Sequence, residues 1–162
     1  MASDPYAVPE YRLAVDDEVR VVVFGEPTLS KNYTVTSSGD IAFPLIGDVK
    51  AAGMTATELN GFLTETLGNG FLNNPRLNVE ILKFRPFYVL GEVSRSGEFK
   101  YRPELTVLQA IALAGGYTYR ADRKRVFIRR AGQETEFTYE LDKGRAIYIS
   151  PGDTIRIGER FF

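Results

Sequence analysis

A cluster of basic side chains is the feature of this sequence most able to do chemistry. Six cations lie within eleven positions: Arg120, Arg123, Lys124, Arg125, Arg129 and Arg130. Strand alternation would place Arg125, Phe127 and Arg129 on one face. Such a patch can hold an acidic polymer or face an acidic surface of a neighbouring protein. A solvated strand edge has the same composition, because charges there discourage unwanted pairing, so both interpretations stay open.

Tyrosines form the second group of candidates, since their rings can stack on sugars and their phenol groups can form hydrogen bonds. The candidates are Tyr88, Tyr101, Tyr117 and Tyr119. Most tyrosines are amphipathic packing residues, so a role in a core or an interface is the leading interpretation for each of them.

The composition removes the usual catalytic machinery. The 162-residue chain contains no Cys and no His, and therefore no thiol nucleophile, thiolate metal site or imidazole base. Three adjacent acids, Asp16, Asp17 and Glu18, are predicted to be turn residues, because neighbours along an extended chain do not converge on one point. We expect no catalytic residue, no metal and no cofactor. The net charge of −1 and the absence of a binding motif argue against a nucleic-acid partner.

Local patterns in the first half predict a small unit of strands and one helix. Strands are predicted over residues 19–24, 33–36, 41–43 and 77–81, with the second and third forming a hairpin around Gly39. The run from Thr55 to Glu58 matches a capping box and predicts the start of the helix. Arg85-Pro86 then interrupts the pattern, because Pro cannot donate to a strand ladder. Two domains are therefore predicted, over residues 8–84 and 86–160.

The second half again predicts strands and one helix. A capping box from Thr106 to Gln109 predicts a short buried helix, which Gly115-Gly116 ends. Strands are predicted over residues 87–90, 126–129, 137–139, 147–149 and 154–157. One helix among short strands predicts an α+β domain of β-grasp type.

The turns between these elements carry a family resemblance. Tyr11-Arg12-Leu13 and the motif residues Gly39, Asp40, Pro44 and Gly47 resemble the polysaccharide export domain of bacterial Wza-type outer-membrane export proteins. A second set resembles the soluble ligand-binding β-grasp (SLBB) domain that follows in such proteins: Gly91, Gly97, Gly115, Gly116, Pro151, Gly152 and Asp153. These residues can simply set tight turns, or their turns can expose backbone groups to carbohydrate or to a neighbouring subunit.

Two departures from the family pattern affect turns. Val15-Asp16-Asp17 stands where the family usually has Pro-Gly-Asp, which leaves room for a different turn geometry. Ser96 stands where the family usually has Pro before Gly97.

The resemblance implies a periplasmic, outer-membrane-associated component of an exopolysaccharide or capsule export conduit that is not an enzyme. It implies a homo-oligomeric ring, an octamer in the family. Closure around a rotation axis requires head-to-tail contacts, and we expect each copy to present part of its sheet edges to the next. The partners it implies are the polysaccharide, an inner-membrane polysaccharide co-polymerase and an outer-membrane barrel.

The chain resembles the short form of the family, and its start has no apolar signal core, so we expect the signal peptide to be absent. The contact residues we predict for polysaccharide or subunits are Arg120, Arg123, Lys124, Arg125, Arg129, Tyr88, Tyr117 and Tyr119. Two other hypotheses remain: a monomeric periplasmic β-grasp module that binds a small ligand or a partner protein, and a carbohydrate-active enzyme with paired carboxylates.

Overall fold

The protein is described by a computed structural model covering residues 4–141 and 144–161. Glu10–Phe84 forms one compact unit, here called the first unit. Residues 4–9 and 85–161 form the second unit. Residues 1–3, at the start where we predict no signal core, lie outside the described residues.

The first unit joins two small sheets and a helix around one core. Its elements are β1 (Glu18–Val23), β2 (Lys31–Thr34), β3 (Asp40–Phe43), β4 (Gly47–Lys50), α1 (Ala56–Gly68) and β5 (Leu77–Lys83). β1 is central in an antiparallel sheet of order β2-β1-β5, and β3 pairs with β4. The alternating Val19, Val21 and Val23 of β1 are buried in the same core as Leu59 and Leu63 of α1.

The predicted hairpin between residues 33–36 and 41–43 is wrong. β2 pairs with β1, and β3 pairs with β4, so the two segments belong to different sheets. The turn itself exists, since the Gly39 N–H donates to the Thr36 carbonyl at 2.8 Å and the Thr36 N–H donates to the Asp40 carbonyl at 2.8 Å. Local sequence located the turn, but β2 pairs with the strand before it and β3 with the strand after it.

Helix α1 begins where predicted, although only half of its capping box forms. The Thr55 hydroxyl accepts the Glu58 N–H at 3.1 Å and so satisfies one free donor of the first turn. The Glu58 carboxylate instead accepts from Arg12 Nη1 at 3.2 Å. Arg12 Nη1 also donates to the Gly53 carbonyl at 2.7 Å, which ties the start of the chain to the helix.

The second unit contains one mixed sheet. Its elements are β6 (Phe87–Gly91), β7 (Gly97–Phe99), α2 (Val107–Leu113), β8 (Arg125–Arg129), β9 (Glu136–Glu140) and β10 (Thr154–Ile157). The strand order is β7-β6-β10-β8-β9, with β10 parallel to β6 and the other pairs antiparallel. Helix α2 has the complete capping box between Thr106 and Gln109. The predicted α+β fold class is confirmed.

The predicted strand over residues 147–149 is wrong. Ile147 and Ile149 are buried, but only an isolated bridge pairs Tyr148 with Thr106. The bridge is fixed by the Val107 N–H donating to the Ile147 carbonyl and the Ile149 N–H donating to the Leu105 carbonyl. The apolar alternation therefore reflects burial beside the start of α2.

The sheet of the second unit has a buried face and an exposed face. Val89, Ile155 and Ile128 lie side by side in register on the buried face. The residues that directly precede or follow these three along their strands point to the opposite face of the sheet, here called the outer face. Tyr88, Leu90, Arg125, Phe127, Arg129, Thr138, Thr154 and Arg156 lie on the outer face.

Candidate functional site

The Pro151-Gly152-Asp153 motif forms a tight turn that enters β10. The buried Asp153 carboxylate accepts from the Ser150 N–H at 2.7 Å, and the Asp153 N–H donates to the Ser150 carbonyl at 3.1 Å. Gly152 has φ +85°, and an added Cβ would lie 2.8 Å from Ala131 Cβ. Both the backbone conformation and the space exclude a larger residue here.

The first unit contains the same turn at Val15-Asp16-Asp17. The buried Asp17 carboxylate accepts from the Ala14 N–H at 2.9 Å, and the Asp17 N–H donates to the Ala14 carbonyl at 3.1 Å. Asp16 takes the left-handed conformation that Gly152 has in the other turn, with φ +75°. The missing Pro-Gly pair therefore leaves the geometry unchanged. Asp16 and Asp17 serve the turn as predicted, whereas the third predicted turn acid, Glu18, is the first residue of β1.

Gly91 is required by close packing between strands. An added Cβ would lie 2.0 Å from the Ile157 carbonyl oxygen, because β6 and β10 run side by side at this point. Positive φ values also occur at Gly39, Gly47, Gly97, Gly115 and Gly116. Asp40 opens β3, and Pro44 follows its end. Each of these residues therefore lies in a turn or loop or at the end of a strand.

Asp122 organises the basic segment that precedes β8. Its carboxylate accepts from the Lys124 N–H at 2.9 Å and from Arg125 Nε at 3.0 Å. Desolvation by burial acts to raise the pKa of Asp122, but these two donors and the positive charges hold the pKa below its ordinary value. Asp122 therefore stays ionised and fixes the Arg125 guanidinium.

Two other arginines of the segment lie over tyrosine rings. Arg123 lies 5.3 Å from the centroid of the Tyr117 ring, and Arg120 lies 5.6 Å from that of Tyr119. Burial raises the pKa of Tyr117. Tyr119 is 74% exposed. One segment, residues 117–125, thus contains six of the predicted contact residues: Tyr117, Tyr119, Arg120, Arg123, Lys124 and Arg125.

The other two predicted contact residues lie on the outer face of the sheet. Tyr88 and Arg129 flank Thr154 from the neighbouring strands in the same register row. Tyr88 is exposed, and Arg129 pairs across the strands with Glu136.

Arg130 of the basic cluster and Tyr101 of the tyrosine candidates do not lie on the surface. Arg130 Nη1 donates to the Asp153 carboxylate at 2.5 Å and to the Tyr148 carbonyl at 3.2 Å, and its side chain is only 12% exposed. Arg130 therefore belongs to the Pro-Gly-Asp turn. Tyr101 is 6% exposed and lies in the core, so it offers no face to a sugar.

The sequence analysis did not identify Arg156, which forms a further cationic group on the outer face. The Arg156 guanidinium lies 4.0 Å from the centroid of the Phe127 ring and makes two hydrogen bonds to Glu136, at 2.7 and 3.1 Å. The Arg156 hydrogen bond holds the pKa of Glu136 below its ordinary value. The alternation of Thr154–Ile157 placed Arg156 on one face, but only the register opposite Phe127 reveals the stack.

The basic segment lines two adjoining clefts of about 420 and 440 Å³. The first is lined by Arg123, Lys124, Arg125 and Arg160 against the one acid Asp122, and therefore carries an excess of three positive charges. The second is lined by Arg125, Phe127, Arg156 and Arg160, with Asp122 and Glu159. Such clefts attract anionic groups even though the whole chain has a net charge of −1.

The described residues contain neither a cluster of metal ligands nor a membrane-spanning helix. Within residues 4–141 and 144–161, no group of three or more acids could hold a metal ion. Among the helices in this part of the chain, none is long and apolar enough to cross a membrane.

Comparison with known families identifies two domains in the chain. Residues 5–82 match the family described as polysaccharide biosynthesis/export protein, and residues 86–147 match the SLBB domain. The chain belongs to the polysaccharide export family. The predicted family resemblance is confirmed, and both domains are present in the predicted order.

The relatives have names that concern polysaccharides. The exopolysaccharide production protein ExoF of Rhizobium meliloti is 38% identical over 132 residues, covering 74% of this chain and 31% of its own length. The EPS I polysaccharide export outer membrane protein EpsA of Ralstonia nicotianae is 29% identical, covering 84% of this chain and 38% of its own length. The polysialic acid transport protein KpsD of Escherichia coli is 28% identical, covering 67% and 20%. The matched part of the chain spans between 20% and 38% of the length of these relatives.

Proposed function

We propose that this protein is a periplasmic, outer-membrane-associated component of a conduit that exports exopolysaccharide or capsule. The observation that carries the proposal is the succession of an export domain and an SLBB domain over residues 5–147. The similar proteins are named for exopolysaccharide production, polysaccharide export or polysialic acid transport. The proposed partners are the polymer, an inner-membrane polysaccharide co-polymerase and an outer-membrane barrel.

The arrangement of charged groups supports a conduit rather than an enzyme. The buried carboxylates Asp17 and Asp153 serve turns, and Asp122 holds Arg125. The predicted contact residues are cations and aromatic rings, which hold a polymer weakly at many points. Weak contacts let a polymer move, whereas one strong site would trap it.

The contact surface we propose has two parts on the second unit, which meet on β8, where Arg125 and Arg129 share the outer face. The segment part contains Arg120, Arg123, Lys124, Arg125, Tyr117 and Tyr119, and the sheet part contains Tyr88 and Arg129. An acidic polymer would meet the guanidinium and ammonium groups, and sugar rings would stack on the exposed tyrosines. A neighbouring subunit with an acidic surface is the alternative occupant.

The ring is proposed because of the chain's size. A single chain of 18.1 kDa cannot enclose a wide channel, and a closed channel from identical copies needs head-to-tail contacts around a rotation axis. We propose an octamer, as the family resemblance implies.

Solution mass tests the ring. Light scattering after size-exclusion chromatography, over a range of concentrations, is expected to give a discrete species near 145 kDa, about eight copies of the 18.1 kDa chain. A strict monomer at every concentration would contradict ring formation by this chain and favour the module that binds a small ligand or a partner protein.

Export is tested in the source bacterium. Deleting the gene is expected to reduce extracellular polysaccharide, and the unaltered gene is expected to restore it. Arg123→Ala with Lys124→Ala should restore export several-fold less well, because two cations of the cleft are lost. The matched control is Lys50→Ala with Lys83→Ala, two exposed cations of the first unit. Equal export by both double variants would exclude the cleft as a contact surface, and normal export after deletion would contradict the proposed function.

A further inference from the structure

The two edges of the second unit's sheet carry opposite charges. Among the described residues, the strand ladder ends at β7 on one side and at β9 on the other. The β9 edge, residues 134–140, contains the acids Glu134, Glu136 and Glu140 and no basic residue. The β7 edge, residues 95–102, contains the cations Arg95, Lys100 and Arg102 and the acid Glu98. The formal charges are therefore −3 at one edge and +2 at the other. When Arg156 of β10, which is hydrogen-bonded to Glu136, is counted with the β9 edge, the charge there is −2.

Strand directions make the two edges compatible. β6 and β10 run in the same direction, β7 runs opposite to β6, and β8 runs opposite to β10. Because β9 is antiparallel to β8, β9 runs opposite to β7. When identical copies are placed side by side head to tail, β9 of one copy is therefore antiparallel to β7 of the next. An antiparallel ladder can continue across that junction.

The charges also select between possible pairings. Two β9 edges repel each other, as do two β7 edges, whereas β9 and β7 attract. A twofold dimer would join like edges, so the charges act against it. Simple edge protection needs charge at each edge but not opposite signs at the two edges. Opposite signs favour an association in which every copy uses both edges.

We propose that β9 of one copy pairs with β7 of the next copy, so that the sheets of the SLBB domains form the head-to-tail contact between subunits. The proposal rests on the proposed ring and names the surface that builds it. The occupant of each edge is a second copy of this chain.

Engineered disulfides test the contact directly, because the chain has no native Cys. Glu98→Cys in β7 and Thr138→Cys in β9 replace two exposed outer-face residues. Within one chain the two strands are about 19 Å apart across four strand spacings, far beyond the roughly 7 Å that a disulfide spans. Oxidation of the double variant is expected to give a ladder of covalent multimers, and each single variant is expected to stay uncrosslinked. Covalent dimers of either single variant would show that like edges meet and would overturn the proposal.

Charge reversal provides the second test. Variant A carries Glu134→Lys and Glu140→Lys, so that both its edges are basic, and variant B carries Lys100→Glu and Arg102→Glu, so that both are acidic. Each alone should need at least roughly tenfold higher concentration to associate, while an equal mixture of A and B should recover association, since unlike edges then meet again. The control is Glu10→Lys with Glu65→Lys, which changes net charge as variant A does but lies in the first unit.

The outcomes separate this contact from the ring itself. A multimeric wild-type protein whose mass is unchanged in both A and B, with no ladder from the double Cys variant, would overturn the edge contact and leave the ring standing. A monomeric wild-type protein would contradict both. Circular dichroism of each variant checks that a loss of association does not reflect unfolding.

Discussion

Two aspartates hold corresponding turns in the two units. Asp17 and Asp153 each accept the N–H of the residue three positions earlier and so close a turn that leads into a strand. The left-handed position before each aspartate is Gly152 in one turn and Asp16 in the other. The same local chemistry thus starts β1 and β10, with different residues meeting the same backbone requirement.

Replacing Asp16 with Gly should stabilise the first unit. A non-glycine residue in the left-handed region costs about 1 kcal/mol, and Gly removes that cost while adding some unfolded-state entropy, so we expect a net gain of about 0.5 kcal/mol. Urea denaturation measures the change. Asp16→Ala keeps the strain and should not stabilise. A stabilised Ala variant would show that the Asp16 charge, rather than its φ of +75°, is the cause.

Tyr33 should make stability fall at high pH. Burial raises the pKa of its phenol from 10.0 to about 12. Between these values the unfolded state releases a proton that the folded state retains, so stability falls as the pH rises, by up to roughly 3 kcal/mol. The stability of the Tyr33→Phe variant should fall less between pH 10 and 12. At pH 7 this variant should be less stable than wild type by about 1 kcal/mol, because it loses the 2.6 Å hydrogen bond to the Leu29 carbonyl.

Urea denaturation at pH 7, 10, 11 and 12 measures the Tyr33 effect. Tyr119→Phe is the control, because Tyr119 is 74% exposed. Parallel pH profiles for wild type and Tyr33→Phe would contradict the prediction.

At the scale of elements, the close packing of β6 against β10 requires glycine at position 91. Gly91→Ala should destabilise the second unit by at least about 3 kcal/mol, because its Cβ would enter the Ile157 carbonyl between β6 and β10. Gly132→Ala has a similar φ of +76° but open space, so it should cost only about 1 kcal/mol of backbone strain. Denaturation midpoints compare the two variants. Equal losses would mean that conformational strain alone, and not strand spacing, requires glycine at position 91.

At the scale of the whole molecule, each unit has its own core. The first unit buries a contiguous set of apolar side chains from its strands and helix within Glu10–Phe84. A fragment of residues 10–84 should therefore fold alone and unfold cooperatively on heating, followed by circular dichroism. Dispersed amide signals in its NMR spectrum would support the proposed domain limits of 8–84 and 86–160. A fragment without a cooperative transition would contradict an independent first domain.

The sequence by itself determined features whose causes lie within a few residues. Thr55 and Thr106 start helices because a hydroxyl satisfies donors in the next turn, and the aspartate of each turn bonds three residues back. The ordered turns also identified the family. Such signals need no knowledge of distant parts of the chain.

Only the tertiary structure decided which segments meet. The hairpin around Gly39 failed because β2 and β3 found other partners, and strand pairing depends on contacts that local patterns do not contain. The same reason applies to the site: Arg130 is adjacent to Arg129 in sequence but lies buried against Asp153, while Arg156 joins Phe127 and Glu136 from another strand. A side chain's role depended on the face and register of its strand, which long-range packing sets.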